Sequence, residues 1–175
     1  LADGDNGPPL GNVQLLGRVV PKILKATTPS MPMALATHLS RHSVDFYAIS
    51  EDLPDPESRV VLNGNDLQLL WRRSNMEAHN RLVKRMKQAL RRAGFPVVLS
   101  RLFDGRVPSH QCGTARLGDD PATAVLDPDC RSFDHDNLYV TDASALPTSA
   151  AVNPSLTVAA LALKAGDAIK RELAS

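Results

Sequence analysis

Apolar residues recur every three to four positions between residues 75 and 93, at Met76, Leu82, Val83, Met86, Ala89, Leu90 and Ala93. That is the period of one buried helix face. Asn75 stands where an N-cap accepts the first free N–H groups, and Glu77 suits the positive end of the helix. Arg91 and Arg92 suit the negative end; Gly94 is placed for a left-handed cap and Pro96 stops propagation. The period changes elsewhere. Residues 43–49 alternate apolar and polar, as a half-buried strand does. A Pro/Asp turn over 51–58 leads to strands over 59–62 and 67–72, joined by Asn63-Gly64-Asn65-Asp66. Asn-Gly predicts a type I′ hairpin there, and the three strands together predict an antiparallel meander.

The remaining pattern is less regular. Residues 1–12, rich in Gly, Pro, Asp and Asn, read as a loop or frayed terminus. Val13, Leu15, Leu16, Val19, Val20, Ile23 and Leu24 fit a short helix or an irregular packed segment broken by Pro21. Residues 31–42 are ambiguous. Residues 97–103 predict a strand leading toward His110, and 137–142 a buried strand ending in acid. Asn153 followed by Pro154 predicts a helix start with Asn as N-cap and Pro at the first helical position. The helix over 156–165 is apolar almost all round, so it should be covered on most sides, with Leu161 and Ile169 buried.

Composition narrows the class. The chain has 175 residues, 43% hydrophobic and 22% charged, which suits one soluble globular domain or the larger part of one. A net charge of +1 exerts no global pull toward nucleic acid or anionic lipid. Arg81, Lys84, Arg85, Lys87, Arg91 and Arg92 crowd one helix, but no aromatics interleave, so this reads as a solvated face. No run approaches the ~18 apolar residues of a membrane span. The first residues carry no secretory pattern, and Cys112 and Cys130 alone make no disulfide framework. These features favour a cytoplasmic protein with neither a nucleic-acid nor a membrane partner. The missing initiator Met suggests a processed chain or a piece of something longer.

Four groups carry candidate chemistry. His38 and His42 share a helix face at a metal-ligand spacing, but no glutamate stands beside them as a metalloprotease base would. A solvent-facing or pocket-lining pair is the simpler reading. His110, Cys112, Cys130 and His135 offer four zinc-ligand types, at spacings foreign to common fingers and knuckles, so no metal is expected. His110 opens His110-Gln111-Cys112-Gly113-Thr114; an imidazole titrating near neutrality can take a proton from a hydroxyl, although a turn histidine is more often structural. Asn153 heads a helix whose free N–H groups concentrate positive potential.

Three segments occur in a telling order. They are His110-Gln111-Cys112-Gly113-Thr114, the run Asn137-Leu138-Tyr139-Val140-Thr141-Asp142, and Asn153-Pro154 with Thr157. Together they resemble the C-terminal signature of the glucose-methanol-choline (GMC) family of flavin oxidoreductases. The likeness runs from about residue 43 to the end and is strongest from His110 on. It departs at Leu117, where the family commonly has Met after the basic residue, and in lacking any G-x-G-x-x-G dinucleotide fingerprint.

The resemblance implies an α+β fold: an antiparallel substrate-domain sheet with flanking helices, plus the C-terminal strand and helix of a Rossmann-like FAD domain whose N-terminal part is absent. It implies a substrate-binding segment over 1–109 and a catalytic, flavin-contacting segment over 110–175. It implies FAD as cofactor and an alcohol or sugar as substrate, with His110 as base and Asn153 as the second member of a His–Asn pair. Asp142, Ala143, Asn153, Pro154 and Thr157 inherit the flavin contacts. An N-terminal FAD-binding portion, in the same enzyme or in a partner chain, would complete the site. A non-catalytic split or truncated subunit acting in binding or assembly is the alternative.

Overall fold

The computed structural model describes residues 2, 7–102 and 110–174. They fall into two compact units, one of Leu1–Ile49 with Asn80–Val98 and one of Ser50–His79 with Leu99–Ser175.

In the first unit, β1 (Asn12–Gly17) pairs antiparallel with β2 (Asp45–Ile49), in the register Asn12↔Ile49 to Leu15↔Phe46 with a bulge before Gly17. A strand therefore stands where a short helix or irregular segment was expected. The helix-like spacing over 13–24 came from summing two elements, β1 and α1 (Pro21–Thr27). Pro21 opens α1 instead of breaking it, because a first helical residue has no intrahelical use for its N–H. The ambiguous stretch resolves into α2 (Met33–His42), which buries Ala36 and Ser40. Ser40 Oγ donates to the Val19 carbonyl at 2.7 Å, and Val19 N–H donates to Asp45 Oδ2 at 3.0 Å. These bonds tie α2 and β2 to the link between β1 and α1.

Helix α3 (Met76–Arg92) matches its apolar period, and its part from Asn80 on belongs to this first unit. Leu82 is fully buried there, over Gly11. A Cβ on Gly11 would lie 2.2 Å from the Ile49 carbonyl oxygen and 2.8 Å from Leu82 Cδ2. With φ at +151°, residue 11 tolerates only glycine. The helix ends as expected: Gly94 N–H donates to the Arg91 carbonyl and Phe95 N–H to the Leu90 carbonyl, the paired bonds of a Schellman cap.

In the second unit, β3 (Arg59–Asn63) and β4 (Asp66–Leu70) form the expected hairpin. Its loop differs in kind. Gly64 has φ +63° while Asn65 does not adopt positive φ, the pattern of a type II′ turn with glycine first. The meander does not form among the described residues: β2 pairs with β1, and β3 with β4, as two separate two-stranded sheets. On the hairpin, Val60, Leu62, Leu67 and Leu69 face one way as cross-strand pairs and are all exposed.

Residues 115–140 fold as an irregular knot held by single bridges, Leu117↔Leu126, Leu126↔Ser132 and Arg131↔Tyr139. Leu126 and Cys130 are fully buried at its centre, and Asp127 Oδ1 accepts the Asp129 and Arg131 N–H groups. The expected buried strand over 137–142 is replaced by this knot. Its backbone partners are loop atoms: Ser132 N–H donates to Leu138 and Val140 N–H to Cys130, while Leu138 itself is exposed. The strand expected over 97–103 is also missing, since Val97–Leu102 has no regular structure; Phe103 lies outside the described residues.

Helix α4 (Ser155–Leu173) closes the chain. Lys164 and Arg171 pair with Asp129, at 3.3 and 3.5 Å, and Glu172 meets Arg131 at 3.4 Å and the Tyr139 hydroxyl at 2.5 Å. Only Ala165 is buried, whereas Leu156 is 86% and Leu163 74% exposed and Leu161 and Ile169 are half-buried. The expectation of cover on most sides fails within these residues, because the knot reaches one side of the helix only. No helix of the described residues is long and apolar enough to cross a membrane.

Candidate functional site

The site is assembled by backbone bonds between two segments far apart in sequence. His110 has φ +58°, a left-handed conformation that is uncommon for a residue with a Cβ. Its carbonyl accepts the Ser149 hydroxyl at 3.2 Å. Three residues on, Gly113 N–H and Ala115 N–H both donate to the Ser144 carbonyl, at 3.1 and 3.0 Å, and Leu117 N–H donates to Ala145 at 2.9 Å. The His-x-x-Gly-Thr strip is thus laid along residues 144–149.

That second segment starts at Asp142, which caps a short 3₁₀ turn over Ala143–Ala145. Asp142 Oδ1 accepts Ser144 N–H at 2.7 Å and Ser144 Oγ at 2.5 Å. Those bonds hold the carboxyl below its ordinary range, so it is ionised at neutral pH. Asp142 is exposed, Ala143 half-buried and Ala145 buried.

A third strip ties in from the hairpin side of the same unit. Asp52 N–H donates to the Ser149 carbonyl at 2.9 Å, and Thr148 Oγ1 donates to Glu51 Oε1 at 3.0 Å, across 97 positions of chain. His79 Nδ1 meets Ser50 Oγ at 3.0 Å; burial, aided by Arg73, pushes its pKa down. Beside His110, Cys112 is half-buried, and burial raises its pKa, so it stays a thiol. No pattern along the chain pairs Asp52 with Ser149. These small polar residues were not singled out from the sequence, and only their positions in the loops disclose them.

Asn153 and Pro154 follow four residues after this strip. Asn153 is not the N-cap: Pro154 occupies that position, at φ −83° and ψ −7°, and no side-chain cap bond is made. The first backbone bond of α4 is donated by Val158 N–H to the Pro154 carbonyl at 2.9 Å. Proline thus sits one residue earlier than expected, and the asparagine is left exposed outside the helix. Thr157 is exposed on the first turn. Among the described residues no hydrogen bond joins His110 to Asn153.

Gly113 and Thr114 line an open cleft of about 430 Å³ together with Phe133 and Arg116, whose guanidinium donates to the Thr123 carbonyl at 2.9 and 2.6 Å. The zinc-type residues do not assemble: among the described residues no three His, Cys, Asp or Glu side chains group to hold a metal. His38 and His42 stack on each other with centroids 4.3 Å apart, and His42 Nδ1 bonds the His38 carbonyl.

Comparison with known proteins bears on these segments directly. A family model described as GMC oxidoreductase matches residues 54–162. The large subunit of fructose dehydrogenase from Gluconobacter japonicus is 33% identical, over 75% of this chain and 26% of that protein. Cholesterol oxidase from Mycobacterium tuberculosis is 42% identical over 37% of this chain and 11% of its own length. Pyranose 2-oxidase from Tricholoma matsutake is 40% identical over 34% and 11%. The chain spans about a quarter or less of the length of these relatives. Because the matched model covers more than half of the chain and takes in the His110 strip, the Asp142 turn and the start of α4, the chain belongs to the GMC oxidoreductases and carries their C-terminal domain.

Proposed function

We propose that this chain supplies the substrate-facing and proton-handling part of an FAD-dependent oxidoreductase acting on an alcohol or sugar hydroxyl. The observation that supports this most is the bonding of the His110–Ala115 strip onto residues 144–149, which run directly into Asn153 and α4. The relatives are named for fructose, cholesterol and pyranose, each a hydroxyl-bearing molecule.

The residues present suit a flavin. The first turn of α4 is capped by no side chain, and its free N–H groups favour negative charge at that end. Asp142, Ala143, Pro154 and Thr157 would hold the cofactor along this edge, with the dinucleotide-binding unit supplied by the N-terminal portion of the same enzyme or by a partner chain. FAD, when bound, supplies the hydride acceptor for the carbinol carbon. His110 accepts the hydroxyl proton as the alcohol becomes a carbonyl. Asn153, exposed and not engaged in capping, donates its amide N–H to the substrate oxygen. The division into a substrate segment over 1–109 and a catalytic segment over 110–175 follows from those roles.

The test is His110→Ala in the holoenzyme that contains this chain. Loss of a general base lowers kcat about 10²–10⁴-fold, with flavin content unchanged because His110 would touch the reacting edge only. Unchanged turnover would remove His110 from the chemistry and favour a non-catalytic role in binding or assembly.

A further inference from the structure

Backbone geometry at residue 110 decides where its imidazole points, and that geometry is unusual. At φ +58° a residue with a Cβ sits in a sparsely populated region, and such a residue stays there only when its surroundings over-determine it. Among the described residues, the hydrogen bond to its backbone is the one from Ser149 Oγ to its carbonyl.

Ser149 is itself fixed from behind. Its carbonyl accepts Asp52 N–H at 2.9 Å in an isolated antiparallel bridge. Asp52 Oδ1 in turn accepts the Ser74 hydroxyl, and Ser74 Oγ accepts Leu53 N–H at 2.8 Å. A continuous hydrogen-bonded chain therefore runs Ser74–Asp52–Ser149–His110, from the loops flanking the β3–β4 hairpin to the histidine.

We propose that Ser149 is a positioning residue for His110: its hydroxyl, anchored through Asp52 and Ser74, holds residue 110 in the left-handed conformation that aims the imidazole. As a route to turnover this rests on the reading of His110 as the base. As a statement about backbone geometry it does not.

Two measurements test it on the holoenzyme containing this chain. Ser149→Ala is expected to lower kcat about 10- to 100-fold, the scale set by one lost bond and a small misplacement of a reacting group. KM and flavin absorbance should stay as in the parent. Ser149→Thr, which keeps the hydroxyl, should recover most of the loss. In a crystal structure of Ser149→Ala, residue 110 should leave positive φ. Turnover unchanged in Ser149→Ala while His110→Ala is impaired would overturn the proposal, as would equal loss in the Ala and Thr variants. If His110→Ala leaves kcat unchanged, the catalytic reading of His110 fails; the φ of residue 110 in Ser149→Ala then decides the positioning role alone, and a retained left-handed histidine overturns it.

Discussion

Replacing Asn153 by Ala separates two roles that sequence alone merges. As an N-cap, Asn153 would accept a first-turn N–H, and its loss would cost about 1 kcal/mol. For a chain of this size that lowers Tm by ~2–4 °C. The structure assigns it no such bond: Pro154 holds the N-cap position, no side chain caps α4, and Asn153 is exposed. An exposed residue without a structural bond changes stability by less than about 0.5 kcal/mol when truncated. Turnover should respond differently. A donor aimed at the reacting oxygen is worth roughly 10²–10³ in kcat. The assay is a thermal melt of this chain beside steady-state kinetics of the holoenzyme, on Asn153→Ala and Asn153→Ser. Both variants should melt within ~2 °C of the parent, the scale of a sub-0.5 kcal/mol change, and both should lose turnover. If Asn153→Ala instead loses the full stability of a cap while Asn153→Ser restores both stability and turnover, the residue is a cap and its proposed bond to substrate is wrong.

Other expectations follow from particular contacts. Gly11→Ala places a Cβ 2.2 Å from the Ile49 carbonyl oxygen and should cost on the order of 3 kcal/mol or more in denaturant unfolding, the upper range for forced overpacking; a cost under about 1 kcal/mol would contradict that close approach. Leu82→Ala, at a fully buried position, should cost ~2–5 kcal/mol, and Leu161→Ala, half-buried on α4, clearly less in the isolated chain; equal losses would contradict the burial assigned to α4. Because burial lowers the pKa of His79, the folded state binds its proton less readily than the unfolded chain. Its contribution is therefore complete above the unfolded pKa of ~6.5 and is lost as pH falls through the lower folded value, and His79→Gln should flatten the acid side of a stability–pH curve. Asp129→Asn removes the partner of Lys164 and Arg171; for such exposed pairs the loss should stay within about 1 kcal/mol and shrink in high salt, as denaturation at two ionic strengths would show.

What was legible in the sequence was local or motif-borne. The apolar period and terminal glycine of α3, the place of the hairpin at Asn63-Gly64 and the start of α4 near Pro154 all depend on neighbours within a few residues, although the turn type and the cap residue differ from those expected. The three ordered segments around His110, Asp142 and Asn153 likewise disclosed the family. Tertiary structure decided everything that depends on a distant partner. An alternating run does not say which strand it will meet, so β2 pairs with β1 and not with β3. Residues 137–142 have a strand's composition but spend their backbone groups on the knot around Cys130. The apolar circumference of α4 states that cover is wanted and not what provides it; within these residues only the knot does, by ion pairs along one side. The Ser74–Asp52–Ser149–His110 chain had no sequence signal, because hydrogen bonds among loop backbones and small polar side chains leave no period and arise only when the fold brings separated loops together.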